Sequence, residues 1–327
     1  MAFVSTGCGN RAHLLTRKHC TRSAVCVRPS RLEMSAAAGK VPVGLKFAKY
    51  QGLGNDFILI DNRTTETPLL TPEQSEKLCD RHFGVGGDGV IFLLPPTSDQ
   101  VDCTMRIYNS DGSEPEMCGN GIRCLAKFAA ELDENAKDTY KVATLAGVIT
   151  PRLTPDGSVC VDMGEPELEL AKVPAVLPDQ APGASSSHVR SLVVDGRMYE
   201  VLAVSMGNPH CITFVSKEEF EALDASLEAI GPKWENHPAF PKRVNTEFIY
   251  KERDDKLHML VWERGAGRTL ACGTGACAVV VAAVLAGVAQ RKCEVVLPGG
   301  PLLIEWREDN NRVYMTGPGD LVFKGVL

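Results

Sequence analysis

Hydrophobic and polar positions follow one order of predicted elements twice along this chain. From residue 46, a strand-like run, "QGLGNDFILI", precedes a helix-like "TPEQSEKLCDRHF", the strands "GVIFLL" and "CTMRIYNSDG", and an apolar helix after "MCGNG". From about residue 200 the order returns as "VSMGNPHCITFV", "SKEEFEALDASLEAI", "NTEFIY", "LHMLVWERGAG" and "ACGTGACAVVVAAVLAG". A repeat of this length is too long for a solenoid and therefore predicts two similar domains.

Each half then ends in a hairpin pattern, with turns at Asp156-Gly157 and Pro298-Gly299-Gly300. The predicted fold class is α/β (α+β): two pseudo-symmetric domains, each a mostly antiparallel or mixed sheet around a central apolar helix. We assign residues 46–165 to the N-terminal domain, with residues 318–327 returning to it, and residues 166–317 to the C-terminal domain. The helix after Cys272 is apolar on every side and is expected to be enclosed.

Residues 1–45 differ from the rest of the chain and are predicted to be a transit peptide or a disordered tail. The first 40 residues hold seven Lys or Arg and one acid, with scattered Ser, Thr and Ala. This composition favours a transit peptide. Its Ser/Thr content and weak amphipathicity favour the chloroplast stroma over the mitochondrion. The remaining 28 basic and 40 acidic residues give a net charge of −12, which argues against nucleic acid or an anionic membrane as a partner.

The motifs do not predict a cofactor or a metal. Twelve cysteines are irregularly spaced with no Cys-x-x-Cys, so zinc-ribbon and thioredoxin-type sites lack their signature, and most cysteines are expected to be reduced and buried. "GVGGDG" lies between a helix and a strand, the wrong context for a dinucleotide site. No apolar run is long enough to span a bilayer.

Two cysteines, Cys118 and Cys272, begin the apolar helix of each repeat and are the candidate catalytic residues. Backbone N–H groups in the first turn of a helix have no partner, and the helix dipole there favours negative charge. A thiol at this position is expected to have a lowered pKa. The following backbone, Gly119-Asn120 and Gly273-Thr274, can approach and bind a carboxylate closely.

A pseudo-twofold arrangement would bring the two thiols to opposite sides of one small molecule. One thiolate could then remove a hydrogen α to a carboxylate while the opposite thiol returns one to the other face. The helix starts would stabilise the charge that develops on the carboxylate. This chemistry is stereo-inversion without a cofactor.

The residues before the cysteines break the symmetry of the repeat. Asn109 lies nine residues before Cys118, whereas Glu263, followed by Arg264, lies nine before Cys272. An amide opposite an acid suits a substrate with an ammonium group, and Arg264 can pair with a second carboxylate; a solvated strand end is the alternative for Glu263-Arg264. Turn formation, the commoner role of Asn beside Gly or Pro, is the alternative for three asparagines, and His210 fits either a strand end or a group that tunes a thiol. The asparagines are Asn55, Asn208 and Asn245.

The ordered motifs resemble the diaminopimelate epimerase family over nearly all of residues 46–327. The resemblance rests on "GLGNDF", "RHFGVGGDG", "YNSDGSEPEMCGNGIRC", "GNPH", "RVNTEF", "ERGAG" and "ACGTGACA". It implies a cofactor-independent isomerase that converts LL-2,6-diaminopimelate to meso-diaminopimelate in lysine biosynthesis, as a possible homodimer. A plant or algal chloroplast enzyme fits both this pathway and the presequence.

The resemblance also implies roles for individual residues. Cys118 and Cys272 would be the two acid–base residues, and His210 and Glu263 would influence their pKa values. Backbone at Gly119-Asn120 and Gly273-Thr274 would bind the carboxylate at the reacting centre. The remaining substrate contacts would come from Asn55, Asn109, Asn208, Asn245, Glu263 and Arg264. Gly89 stands where some members carry a substrate-contacting Gln, so that contact is not expected here.

Three alternatives stay open at the level of sequence. A proline or hydroxyproline racemase also uses two opposed cysteines, but Asn120 and "ERGAGRTLACGTG" depart from its motifs. A thiol–disulfide redox protein would use the same cysteine pair for oxidation. A non-catalytic binder of small acidic ligands would use only the helix starts.

Overall fold

The structure is a computed structural model that describes residues 40–178, 180 and 186–327. The first 39 residues of the predicted transit peptide therefore lie outside the described residues. The strands of the first half, in chain order, are β1 (Lys46–Gly52), β2 (Asn55–Asp61), β3 (Gly89–Leu94), β4 (Cys103–Asn109), β5 (Val142–Thr144), β6 (Gly147–Ile149), β7 (Arg152–Leu153) and β8 (Val159–Asp162). The helices of this half are α1 (Pro72–Cys79) and α2 (Gly119–Leu132).

The second half repeats this succession of elements. Its helices are α3 (Lys217–Glu235) and α4 (Gly273–Leu285). Its strands are β9 (Arg190–Val194), β10 (Arg197–Ser205), β11 (Pro209–Val215), β12 (Asn245–Arg253), β13 (Lys256–Glu263), β14 (Gly267–Arg268), β15 (Lys292–Leu297), β16 (Gly300–Trp306), β17 (Val313–Gly317) and β18 (Asp320–Val326).

The strands form two mixed sheets with matching topology. The first sheet has the order β18-β1-β2-β3-β4-β5-β6, and the second has β7-β8-β17-β16-β15-β13-β12-β11-β10-β9, with β14 paired to β13. The parallel pairs are β2 with β3 and β4 with β5 in the first sheet, and β11 with β12 and β13 with β15 in the second. These pairs occupy corresponding places, so the predicted pseudo-symmetric α/β architecture is confirmed.

Each sheet carries an apolar helix on one face and an amphipathic helix on the other. Helix α4 lies in the larger core cluster, where Val279, Val280 and Val281 are fully buried, so the predicted enclosure of this helix is confirmed. Helix α2 packs in the corresponding cluster of the first sheet. Burying one such valine contributes about 1.5–3 kcal/mol, which fixes both helices firmly against their sheets.

Local sequence accounts for how the outer helices begin. Thr71 caps α1, with its side chain accepting from the Gln74 N–H while the Gln74 side chain accepts from the Thr71 N–H, as the capping-box pattern predicts. Ser216 caps α3 in the same position. The segment "SKEEFEALDASLEAI" predicts a helix that ends near Ile230, but α3 continues to Glu235, because Gly231 lets the helix pack directly against the Trp262 indole.

Sheet membership departs from the predicted domain boundaries at one place. Strand β18 pairs with β1, as expected for residues 318–327. Strands β7 and β8 fall within 46–165, yet β8 pairs with β17 in the second sheet. Side chains of β8, Val159 and Val161, nevertheless pack into the core around α2. This strand therefore connects the two halves, and the domain boundaries stay a prediction.

Candidate active site

Cys118 and Cys272 are the N-cap residues of α2 and α4 and have extended backbone conformations, so both predicted helix starts are confirmed. The Cys118 sulfur accepts a hydrogen bond from the Gly121 N–H at 3.4 Å. The Cys272 sulfur lies 3.6 Å from the Thr274 hydroxyl. The Cys118 thiol therefore binds one of the free N–H groups at the start of its helix, whereas the Cys272 thiol makes no such cap hydrogen bond.

The first turns of the two helices meet across the side chain of Met315. A Cβ built on Gly119 would lie 3.1 Å from the Met315 methyl carbon, and one on Gly273 would lie 2.9 Å from its sulfur. The Asn120 amide oxygen also lies 3.8 Å from that Gly273 position. Glycine at these two positions leaves room for the thioether, so the two helix starts share one small volume.

Asn55 is the side chain that links Cys118 to the rest of its sheet. Its amide oxygen lies 3.9 Å from the Cys118 sulfur and accepts from the Asn120 amide at 3.1 Å. Its amide nitrogen donates to Asp88 at 2.6 Å. Arg81 binds Asp88 in turn, at 2.8 Å. The Asp88 carboxylate thereby fixes which end of the Asn55 amide faces the thiol.

Cys272 has a different set of neighbours, dominated by a buried pair, His210 and Glu247. The His210 Nδ1 lies 2.6 Å from a Glu247 oxygen, and its Nε2 lies 3.0 Å from the Asn208 amide oxygen. Both His210 and Glu247 are fully buried. The Cys272 sulfur lies within 4.8 Å of both groups. The structure thus brings His210 and Asn208 together with Cys272.

Glu263 is an acid that acts on both thiols. After burial, its negative charge is a further cause that raises the pKa of Cys118 and of Cys272. Its carboxylate accepts from the Thr269 hydroxyl at 2.5 Å. The neighbouring Asn245 donates to the Pro209 carbonyl at 2.9 Å and accepts from the Arg264 N–H at 2.8 Å. Asn245 therefore holds the chain immediately after Glu263 against the strand that carries His210.

The side chains of two predicted site residues, Asn109 and Arg264, contact neighbours other than the two cysteines. The Asn109 amide donates to the Ser113 hydroxyl at 3.0 Å. The Arg264 guanidinium donates to the Lys242 carbonyl at 3.1 Å and is exposed. Neither contact involves a cysteine, so their substrate roles stay predictions.

The expected lowering of the cysteine pKa values is wrong for these thiols. Burial raises the pKa of the Cys118 thiol, with backbone N–H groups and Arg123 opposing the rise. Burial, followed by the charges of Glu263 and Glu247, raises the pKa of Cys272 well above its usual value. The free-energy cost of removing a thiolate from water is larger than the stabilisation that the N–H groups at the helix start provide.

His210, Glu247 and Cys272 are also the described residues with the spacing of a metal site. Their ligand atoms lie within 4.8 Å of one another, and nitrogen, oxygen and sulfur donors suit zinc. A metal would have to break the 2.6 Å contact between His210 and Glu247, so the observed pairing favours a hydrogen-bonded network over a metal centre.

Comparison with known proteins decides the family. The diaminopimelate epimerase family model matches residues 47–169 and 202–322. The chain belongs to the diaminopimelate epimerase family. It is therefore an isomerase, and a small-molecule substrate fits this class of enzyme. Diaminopimelate epimerase 1 of Nostoc sp. is 60% identical over 289 residues, covering 87% of this chain and 100% of the relative. The chloroplastic diaminopimelate epimerase of Oryza sativa subsp. japonica is 58% identical over 285 residues, covering 86% and 79%.

Solved structures share the fold of this family member at low sequence identity. A predicted epimerase from Pseudomonas aeruginosa superposes with a TM-score of 0.58 at 16% identity, covering 86% of this chain and 99% of that one. A hydroxyproline epimerase from Agrobacterium vitis gives a TM-score of 0.54 at 14% identity, covering 88% and 91%. These likenesses support the fold alone.

Sequence reasoning about this epimerase missed three residues at the site: Glu247, Arg123 and Met315. Glu247 is a carboxylate next to the apolar run "FIY" of strand β12, and Arg123 is a cation in the mostly apolar helix segment "GIRCLAKFAA". A charge placed where the pattern predicts burial is a usable signal, because such groups need a partner or a function. Met315 carries no such signal.

Proposed function

We propose that this protein converts LL-2,6-diaminopimelate into meso-diaminopimelate in lysine biosynthesis, with no cofactor and with Cys118 and Cys272 as the two acid–base residues. One observation carries the proposal: both cysteines cap helices whose first turns meet around Met315. A carbon atom bound there would have one thiol on each side.

The proton balance of this reaction is simple. One cysteine, as thiolate, takes the α-hydrogen as a proton and becomes a thiol. The other cysteine, as thiol, gives its proton to the opposite face and becomes a thiolate. N–H groups at Gly119-Asn120 and Gly273-Thr274 hold the adjacent carboxylate while negative charge builds on it. No atom is gained or lost, and only the configuration changes.

Glu263 supplies the reason why an amino acid suits the site. Its charge raises the pKa of both thiols in the free protein. An ammonium group bound beside Glu263 would offset that charge and make ionisation of a thiol easier. We assign the rest of the substrate to the polar side chains around the site, Asn55, Asn109, Asn208, Asn245 and Arg264.

Isotope exchange tests this proposal directly. The purified protein is incubated in deuterated water with LL-2,6-diaminopimelate and no added cofactor. We expect deuterium at the α-carbon and formation of the meso isomer. Cys118→Ser and Cys272→Ser should each lower the epimerisation rate at least 100-fold. A serine hydroxyl is far less acidic than a thiol and so supplies almost no anionic base at neutral pH.

Cys160→Ser is the matched control, because this buried cysteine lies in β8 and not at a helix start. It should keep the wild-type rate. Full epimerisation by Cys118→Ser or Cys272→Ser would refute the two-thiol mechanism. Inversion of free proline with no reaction of diaminopimelate would instead favour a proline racemase, and efficient turnover of a disulfide substrate would favour a redox protein.

We also infer a homodimer that forms through strand β18. This strand lies at the edge of the first sheet and exposes the apolar side chains Leu321, Val322 and Phe323. An edge strand has unpaired backbone N–H and C=O groups, and exposed apolar side chains are unfavourable in water, so such a strand favours pairing with another chain. Val322→Lys should shift the protein from dimer to monomer in analytical ultracentrifugation, and a wild-type monomer would refute the inference.

We place the protein in the chloroplast stroma. The composition of residues 1–45 and the chloroplastic relative from Oryza sativa support this location. None of the helices in residues 40–178 and 186–327 is long and apolar enough to cross a membrane. A fluorescent protein fused behind residues 1–45 should be imported into the stroma, and retention in the cytosol would contradict the assignment.

A further inference from the structure

Asn120 has a buried amide oxygen without a partner at the place where the two helix starts meet. It is the second residue of α2 and is 5% exposed. Its amide nitrogen donates to the Asn55 amide oxygen at 3.1 Å, whereas its own oxygen has no hydrogen-bond partner among the described residues. That oxygen lies 3.8 Å from the position that a Cβ on Gly273 would take. Leaving a buried acceptor unpaired costs free energy, so this oxygen suits a donor that a ligand brings.

The Asp88 carboxylate decides the direction of these two amides. One of its oxygens accepts from the Asn55 amide nitrogen at 2.6 Å and from the Asp56 N–H at 3.0 Å. The other accepts from the Arg81 guanidinium at 2.8 Å. A carboxylate only accepts hydrogen bonds, whereas the two ends of a neutral amide have opposite roles. The Asn55 nitrogen must therefore face Asp88, and its oxygen must face the Asn120 nitrogen. The free end of the Asn120 amide is then its oxygen.

Contacts that do not involve the amides hold Asp88 in place. Its backbone N–H donates to the Asp56 carbonyl at 2.7 Å, and its carbonyl accepts from the Ser110 N–H at 2.9 Å. Arg81 binds the Asp56 carboxylate at 2.7 Å as well as that of Asp88. Lys49 binds the same Asp56 carboxylate at 2.5 Å. Asp88 is therefore fixed well enough to impose a direction on the amides beside it.

The donor for the Asn120 oxygen must come from a part of the ligand other than its carboxylate. The proposed reaction places a carboxylate at the N–H groups of both helix starts, and a carboxylate offers only acceptors. An amino acid carries an ammonium group on the same carbon as that carboxylate, and an ammonium group has several N–H donors. The Asn120 oxygen can therefore accept one N–H of this group while Glu263 balances its charge.

We propose that Asp88 is a positioning residue for ligand selection. Through Asn55 it holds the Asn120 amide oxygen toward the site, where that oxygen accepts from the ammonium group of a bound amino acid. This inference rests on the proposed epimerase function and adds an acceptor to the carboxylate binding at the helix starts. Asp88 contacts no substrate atom in this scheme, since it acts through two amides.

Ligand binding separates selection for the ammonium group from general damage to the site. Calorimetric titration uses the equilibrium mixture of LL- and meso-2,6-diaminopimelate, so that no net turnover occurs. The second ligand is pimelate, which has the same carbon chain and carboxylates but no ammonium groups. Because a hydrogen bond to a charged group contributes to only one of these ligands, wild type should bind diaminopimelate at least about tenfold more tightly than pimelate.

Two substitutions remove the acceptor in different ways. Asn120→Ala deletes it. In Asp88→Asn the new amide keeps its oxygen toward Arg81 and turns its nitrogen toward Asn55, so both amides reverse and a nitrogen faces the ammonium group. Each variant should weaken binding of diaminopimelate about tenfold and change binding of pimelate less than about twofold.

A double-variant cycle tests whether Asp88 acts through Asn120. If it does, Asp88→Asn should have no further effect on diaminopimelate binding in a protein that already carries Asn120→Ala. Asp102→Asn is the matched control. Asp102 likewise accepts from a cation, Lys137 at 2.5 Å, and from a backbone N–H, that of Lys141 at 2.7 Å. This control should bind both ligands as wild type does.

Three results would overturn the inference. Equal affinity of wild type for diaminopimelate and pimelate does so even if the variants fail to fold. The others are an Asp88→Asn effect that is equal for both ligands, or one that adds in full to that of Asn120→Ala, as expected of a purely structural role. If binding shows the expected coupling but diaminopimelate exchanges no deuterium, the proposed function fails and this inference stands. If deuterium exchanges while binding shows no coupling, this inference fails and the proposed function stands.

Discussion

Gly275→Ala tests how tightly the network beneath Cys272 is packed. Gly275 is the third residue of α4. A Cβ there would lie 2.7 Å from a Glu247 oxygen, 2.9 Å from the Met259 methyl carbon and 3.2 Å from the Cys272 sulfur. The Glu247 oxygen cannot withdraw freely because His210 holds it at 2.6 Å. The added methyl group must therefore displace the carboxylate, the thiol or both.

Two opposing effects set the magnitude. Replacing a helical Gly by Ala stabilises a helix by about 1 kcal/mol. Forcing a methyl group into a packed interior costs about 1–3 kcal/mol, and the fixed carboxylate places this site toward the upper end. We expect a net loss of about 1–2 kcal/mol in the free energy of unfolding. Because a misplacement of about 1 Å at a reacting group can cost about 100-fold in rate, kcat should fall about 10- to 100-fold.

Gly121→Ala is the matched control at the third residue of α2. Its nearest neighbours would be the Ile91 methyl carbon at 2.9 Å and the Met105 methyl carbon at 3.3 Å, and both are ends of flexible side chains. We expect a change in stability within about 1 kcal/mol and a smaller loss of rate. Urea unfolding and epimerisation of diaminopimelate measure both variants. Wild-type kcat with increased stability in Gly275→Ala would refute the packing argument.

Two further predictions concern buried groups. Glu247→Ala leaves the His210 Nδ1 without an acceptor and should destabilise the fold by about 3 kcal/mol, whereas Glu247→Gln keeps an acceptor oxygen and should cost about 1 kcal/mol in urea unfolding; equal losses would contradict the role of this hydrogen bond. Burial raises the pKa of Cys79, Cys103, Cys124 and Cys277 to about 12 from a reference of 9.0. Between about pH 9 and 12 these thiols stay protonated in the folded state but ionise in the unfolded state. Their contribution to the free energy of unfolding is therefore complete below about pH 9 and declines as the pH rises toward 12. Thermal midpoints that stay constant from neutral to strongly alkaline pH would contradict this prediction.

Local patterns predicted most of the elements that build the site. The cap of α1 and the starts of α2 and α4 could be recognised because a cap depends on residues within one turn. The repeat predicted the matching topology because corresponding strands keep their order. Pairing of β8 with β17 could not be foreseen, since it joins strands more than 150 residues apart along the chain and depends on which surface remains free after both halves fold. The raised cysteine pKa values were missed for a related reason, because burial is a property of the whole fold.

The proposed two-thiol mechanism gives a reason for the two halves of the repeat to differ in charge. Strand pairing aligns Phe57 with Gly89 in the first sheet and His210 with Asn245 in the second. In the proposed mechanism, two thiols around one small site would titrate as a coupled pair, and inversion would require one to be ionised while the other is not. If the surroundings of the two thiols were identical, either thiol would be the ionised one equally often. Half of the singly ionised molecules would then present a neutral thiol where a given isomer needs a base. The buried cation Arg123 on the helix that Cys118 caps, and the buried acid Glu247 within 4.8 Å of the Cys272 sulfur, make the two surroundings unequal without disturbing the shared backbone.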